Sequence, residues 1–224
     1  LSSIKKIILF FSFFLTNFFL YIYGNYLINK NNFYLGTVKE KIYVKIIGPN
    51  FNLKYGLEPK EIQERFDKLI KYSDPDKNKK TLFIWPEGVF SGYSYNEIIS
   101  FKELILNNFS EKHFIVFGTN KMDILSGKFY NSMIVVNNNF DIIKSYNKRK
   151  LVPFGEFLPF ETMLKKFGLK KITEGHGSYL KGIEDDNLII ENLNILPLIC
   201  YEIIFTDLIQ KSDENTNLLI NISE

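Results

Sequence analysis

Residues 7–23 read IILFFSFFLTNFFLYIY, seventeen positions without a charge, and no other stretch of the chain restricts its folding as strongly. Extended to Ile28, the run reaches the roughly 20 residues a helix needs to cross about 30 Å of hydrocarbon. A membrane span is therefore expected over residues 1–28 and its flanks. Lys5 and Lys6 precede the run, and the positive-inside tendency places the amino end in the cytoplasm and the rest of the chain across the membrane. A cleavable signal peptide is the rival reading. It is disfavoured because the apolar stretch is long and no small-residue cleavage pattern follows it. A polar linker is expected over 29–38 and a globular domain over 39–224.

For that domain, the 46% hydrophobic content of the 224 residues supplies a sizeable core, and the charges are interspersed, with a net of +3. No long basic block is present, so nucleic acid is not expected as a partner. Alanine is absent while Lys, Asn, Ile and Phe abound, a bias that weakens propensity arguments. The single cysteine, Cys200, excludes an internal disulfide and leaves two readings, buried apolar filler or reactive thiol. Leu1 in place of Met, and a strand-like run that stops at Glu224, lead to the expectation that the chain is a piece whose C-terminal part of the fold is missing.

Periodicity then orders the elements. Residues 39–47 alternate Ile42, Val44 and Ile46 as a strand, closed by the turn Gly48-Pro49-Asn50. Ile62, Phe66, Leu69 and Ile70 recur at helical spacing behind Pro59. A short apolar run at 82–85 ends in Pro86-Glu87. A helix is expected over 96–107 and a strand over 114–117, ending at Gly118. Hairpin pairs follow at 132–136 with 142–146 and at 188–191 with 195–199, then a helix over 202–210 and a strand at 218–221. The mixture predicts a layered α/β domain.

Three rare polar residues stand where apolar strands end: Glu87 after LFIWP, Lys148 after IIKSYN, and Cys200 after ILPLI. Such edges of open α/β sheets collect binding sites. The three are also chemically complementary. A carboxylate can take a thiol proton, and an ammonium stabilises both the thiolate and the oxyanion of a tetrahedral intermediate. Each residue has a bland alternative when taken singly: a turn carboxylate for Glu87, a solvated Lys148-Arg149-Lys150 run, and core filler for Cys200. His113 and His176 are the only histidines and lie far from acid-rich clusters, so no metal is expected.

The strings WPEGVF, YNKRKLVPFGEFLPFE and LICYEIIF, in that order, resemble the nitrilase superfamily and, more narrowly, the apolipoprotein N-acyltransferase family. The resemblance implies a nitrilase-like four-layer α-β-β-α sandwich preceded by a transmembrane helix. It implies Glu87 as general base, Lys148 as oxyanion-stabilising cation and Cys200 as nucleophile. Glu156 either orients Lys148 or protonates a leaving group, with a loop salt bridge as the alternative. Tyr201 and Glu202 match the family's C-Y-E string. Glu202 holds the elbow after Cys200 or simply favours a helix start.

Tyr130-Asn131-Ser132 also matches a family pattern, and a strand-entry turn explains it nearly as well. Phe90, Phe157 and Phe160 have two readings, an acyl-chain path or ordinary core packing, of which packing is the simpler.

The implied reaction passes a phospholipid acyl chain to the cysteine as a thioester and then to the α-amine of a diacylglyceryl-modified lipoprotein cysteine. It needs no cofactor and takes place at the bacterial inner membrane, with the domain on the periplasmic side. Rival readings are an amidase or carbamoylase acting on small amides through the same three residues, and an inactive membrane-tethered relic.

Overall fold

The computed structural model describes residues 3–35, 41–52, 54, 56–160, 178–183, 187–210 and 214–223. It divides into two units, residues 1–41 and 42–224. The first is helix α1, Ser3–Leu35. Within it the 27 residues Ile4–Lys30 are long and apolar enough to cross a membrane, with a mean hydropathy of 1.9. From Ile4 to Ile28 its Phe, Leu and Ile side chains are exposed on every side of the helix, as suits a helix solvated by lipid. Two polar side chains inside the run bond back to the helix itself: Thr16 Oγ1 donates to the Ser12 carbonyl at 2.9 Å and Asn17 Nδ2 to the Phe13 carbonyl at 2.8 Å. No Gly or Pro stands between Gly24 and Gly36, and α1 accordingly continues past Ile28 to Leu35, through part of the expected linker.

In the second unit, strands β1 (Tyr43–Ile46), β2 (Thr81–Ile84), β3 (His113–Met122), β4 (Phe129–Val136) and β5 (Ile142–Asn147) form one sheet in that order. The first three pair in parallel, and β3–β4 and β4–β5 are antiparallel. A second sheet contains β6 (Leu188–Ile190), β7 (Leu193–Ile199) and β8 (Leu218–Ile222), with β7 and β8 parallel.

Side chains alternate across a strand, and here both faces are covered over 81–84 of β2, 115–117 of β3 and 133–136 of β4, which is why those stretches read as nearly unbroken apolar runs. Phe83, Trp85, Ile115, Phe117, Ile134 and Val136 point to one face and join the core under helix α2 (Pro59–Ser73). Leu82, Ile84, Val116, Met133 and Val135 point to the other and meet Ile195, Ile199, Ile220 and Ile222 of the second sheet.

Helix α2 contributes the predicted stripe Ile62, Phe66, Leu69 and Ile70. Phe66 is fully buried, its ring 4.3 Å from that of Phe90 and 5.6 Å from that of Phe101, so that Phe66→Ala is expected to cost about 3–5 kcal/mol. The layers thus stack α-β-β, the order of the expected four-layer sandwich through its third layer.

Several boundaries differ from the sequence reading. The expected helix over 96–107 is broken into α3 (Tyr95–Ile98), a 3-10 turn (Ile99–Phe101) and α4 (Lys102–Asn108). The expected helix over 202–210 is a 3-10 turn at Cys200–Ile204 followed by α5, Thr206–Ile209, with the extended Phe205 between them. Strand β3 runs past Gly118 to Met122, because Thr119, Asn120 and Lys121 pair with Ser132, Asn131 and Tyr130 of β4 despite being polar.

Since β1 to β3 are parallel and β5 runs with them, the C-terminal ends of β2 and β5 fall on one edge of the sheet. Lys148 follows the end of β5 directly, and Glu87 stands three residues past the end of β2.

Candidate active site

The first residue past β5 is Lys148, and its side chain is 1% exposed. Burying a lone ammonium is prohibitive, so it must be paired. Its Nζ lies 2.8 Å from Glu156 Oε1 and 3.8 Å from Glu87 Oε1. Asn131, on β4, donates from Nδ2 to Glu87 Oε1 at 2.8 Å and to Glu156 Oε1 at 2.7 Å, so one amide and one ammonium link both carboxylates. The other oxygen of Glu156 accepts the Val152 N–H at 2.9 Å, which folds the LVPFGE loop back over Lys148. Burial works to lower the Lys148 pKa, but Glu87 and Glu156 outweigh it and hold the ammonium above its ordinary value of 10.5.

Glu87 sits in the turn after β2. Directly behind it lies Gly118, where a Cβ would stand 2.7 Å from the Glu87 Cα, so the backbone carrying the carboxylate rests on a glycine. A cavity of about 190 Å³ opens beside Glu87, between residues 48–51 and 86–89.

Cys200 follows the last residue of β7 with φ of 54°, in the left-handed region that costs a residue bearing a Cβ of order 1–3 kcal/mol. The strand therefore breaks sharply at the thiol, which is half-buried. The residue after Cys200 reaches Lys148, whose ammonium lies 5.5 Å from the centre of the Tyr201 ring. Tyr201 Oη donates to the Leu151 carbonyl at 2.6 Å, and burial raises its pKa.

Glu202 fixes this corner to the lysine turn. It is completely buried, and its two oxygens accept four hydrogen bonds: Oε1 from the N–H groups of Arg149 at 2.8 Å and Lys150 at 2.9 Å, and Oε2 from the Ile199 N–H and the Tyr146 hydroxyl, both at 2.9 Å. The donors flank Lys148 on one strand end and Cys200 on the other. These contacts match both of its predicted readings: Glu202 ties the elbow after Cys200 to the lysine turn and, as the third residue of the 3-10 turn, accepts the N–H of Ile199 ahead of it.

The structure thus gathers Glu87, Lys148 and Glu156 in one bonded cluster, with Cys200 and Tyr201 beside it and Glu202 beneath. The Lys148 side chain is enclosed, in contrast to the bland reading of a solvated basic run. Phe90 is core, as the packing reading has it, whereas Phe160 is 80% exposed and does not pack. His113 is buried and bonded to the Ser110 N–H and the Asp76 carbonyl, and His176 lies outside the described residues.

Asn131 had only a weak sequence signal, the Tyr130-Asn131-Ser132 string. Gly118 was visible merely as a strand end. Tyr146, in an alternating strand, had no signal for its bond to Glu202.

The chain belongs to the carbon-nitrogen hydrolase family, a family of enzymes whose model matches residues 55–224. Within it, the sequence is similar to proteins named apolipoprotein N-acyltransferase. It is 40% identical over 97 residues to the one from Rhizobium leguminosarum bv. trifolii, covering 43% of this chain and 18% of that protein. To the one from Wigglesworthia glossinidia brevipalpis it is 31% identical over 201 residues, covering 84% of this chain and 38% of that protein. The chain therefore spans less than half the length of these relatives. Among solved structures, an amidase of the nitrilase superfamily from Nesterenkonia AN1 superposes with a TM-score of 0.54 at 12% identity, covering 84% of this chain and 67% of that one, a likeness of fold.

Proposed function

We propose that the protein is an apolipoprotein N-acyltransferase, in which Cys200 carries a fatty acyl group between a membrane phospholipid and the α-amine of a diacylglyceryl-modified lipoprotein cysteine. The observation that carries the reading is the Lys148 ammonium enclosed by two carboxylates beside a half-buried thiol on a strained strand end.

In the first half-reaction the Glu87 carboxylate takes the proton of the Cys200 thiol as Sγ attacks the ester carbonyl carbon. The oxyanion that forms is stabilised by Lys148. The C–O bond then breaks, and Glu87 returns the proton to the departing glyceryl oxygen, releasing a lysophospholipid. In the second half-reaction the lipoprotein amine attacks the thioester, Glu87 takes a proton from nitrogen, and collapse of the second tetrahedral intermediate breaks the C–S bond and re-forms the thiol. The sum is ester plus amine giving amide plus alcohol, which needs no redox partner. Glu156, at 2.8 Å from Lys148, orients the cation. Tyr201 lies against it.

Donor and acceptor are both held in a bilayer, and α1 supports an enzyme anchored there, where tethering raises the effective concentration of both. Lys5 and Lys6, ahead of the span, favour the domain on the periplasmic side of the inner membrane.

The test is an assay of the full-length protein in vesicles with a fluorescent phospholipid and a diacylated lipopeptide. Lysophospholipid and N-acyl lipopeptide are expected in equal amounts, and Lys148→Ala is expected to abolish both. Hydrolysis of small amides with the phospholipid untouched would instead identify an amidase, and neither activity would identify a relic.

A further inference from the structure

Residues 179–182 cross the lysine turn from outside. The Tyr179 N–H donates to the Glu156 carbonyl, the Leu180 N–H to the Phe129 carbonyl and the Gly182 N–H to the Lys148 carbonyl, each at 2.8 Å. Tyr179 Oη adds a bond of 2.9 Å to Asn120 Oδ1 on β3. These four residues therefore bind β3, the start of β4, the end of β5 and the LVPFGE loop together.

Lys148 is held from both sides of its backbone, since its own N–H donates to the Asn131 carbonyl at 2.8 Å. Its ion-pair partner Glu156 is held by the same crossing segment.

Contact at Gly182 leaves no room for a side chain. A Cβ there would stand 2.0 Å from the Asn147 carbonyl oxygen and 2.7 Å from its carbon, while ordinary contact begins at 3.4 Å. That carbonyl belongs to the peptide bond joining Asn147 to Lys148. The Asn147 side chain is held by Ser132, whose Oγ donates to Asn147 Oδ1 at 2.7 Å in a buried position, and the peptide itself by the Lys148 N–H bond to Asn131. An added methyl must push either the crossing segment off the turn or the Lys148 peptide away from Asn131, by more than 1 Å given the 2.0 Å and 3.4 Å separations.

We propose that residues 179–182 are a positioning crosspiece for Lys148 and Glu156, and that Gly182 is its positioning residue. This rests on the reading of Lys148 and Cys200 as partners in acyl transfer. Gly182 touches no reacting atom. It acts by setting where the buried ammonium stands relative to the thiol.

A misplacement of about 1 Å in a reacting group costs up to about 10²-fold in rate. In the full-length membrane protein, assayed where it remains folded, Gly182→Ala is expected to lower kcat about 10- to 100-fold with KM unchanged. It is also expected to slow alkylation of Cys200 by iodoacetamide, because a cation beside a thiol favours the reactive thiolate. Where Gly182→Ala does not accumulate, Tyr179→Phe decides. It keeps every backbone bond, removes the Oη bond to Asn120, and is expected to lower kcat about threefold at unchanged KM.

A folded Gly182→Ala protein with the parent's kcat and alkylation rate overturns the proposal, as does a loss confined to KM. Where Gly182→Ala does not accumulate, a Tyr179→Phe protein at the parent's rate overturns it equally. A parent protein that is alkylated at Cys200 but leaves phospholipid intact contradicts the acyltransferase reading alone. The alkylation rates of the variants still decide the role of Gly182.

Discussion

Two carboxylate centres lie within the same fold and are treated in opposite ways. Glu202 is fully buried and saturated by three backbone N–H groups and a hydroxyl, all neutral donors. Glu87 and Glu156 remain 16% and 13% exposed and share an ammonium and a side-chain amide, with Lys148 standing 3.8 Å from Glu87. A carboxylate held by fixed backbone donors is a tie between strands, because any change of its protonation would break several bonds at once. One held by side chains at the rim of the sheet can exchange a proton with little rearrangement. The difference suits Glu202 to the scaffold and agrees with the proposed mechanism, in which Glu87 moves the proton.

The contrast breaks most visibly at Glu202. Glu202→Ala is expected to leave four donors without an acceptor and to cost on the order of 4 kcal/mol of stability, read as a loss of protease resistance on heating. Glu87→Gln should do the reverse, lowering kcat by about 10²- to 10³-fold while stability changes by about 1 kcal/mol or less. Equal effects of the two substitutions on stability would erase the distinction. A smaller loss, about tenfold in kcat, is expected for Asn131→Ala, which removes the amide shared by both site carboxylates and is read in the same turnover assay.

Lys148 sharpens the comparison through pH. A basic group whose folded pKa is raised contributes stability that is fully present below its unfolded value, near 10.5, and lost as pH rises through the higher folded value. The contribution should therefore be intact at neutral pH and disappear only in the alkaline range. In Lys148→Met the alkaline fall in melting temperature should shrink to the part owed to the other groups held above their ordinary values, Lys79, Tyr95, Tyr201 and, most of all, Tyr146. Burial and then Glu202 raise the pKa of that phenol, which loses stability in the same direction. The smallest effect belongs to the exposed Phe160, where Phe160→Ser should change stability by about 0.5 kcal/mol or less in a thermal melt.

How much of this was legible in the sequence depended on whether a feature was local. The strand ends that deliver Glu87, Lys148 and Cys200, and the stripe on α2, follow from periodicity within a few residues. The far half of β3 did not, because Thr119, Asn120 and Lys121 are polar and owe their strand to pairing with β4. The break at Cys200–Ile204 was also hidden, since helical spacing continues through a segment whose Glu202 turns inward to donors some fifty residues away. Asn131 and Gly182 act entirely through residues remote in sequence, and neither disturbs a local pattern. Their roles appear only where separate strands meet.

The most direct test is mass spectrometry of the full-length protein after incubation with a defined phospholipid, in parent and Cys200→Ala forms. The proposed mechanism predicts a fatty acyl adduct on Cys200 that is absent from the variant, is cleaved by hydroxylamine as a thioester, and disappears when a diacylated lipopeptide is added. A parent protein that carries no acyl group under these conditions, or carries one at another residue and passes it on equally well without Cys200, would contradict it.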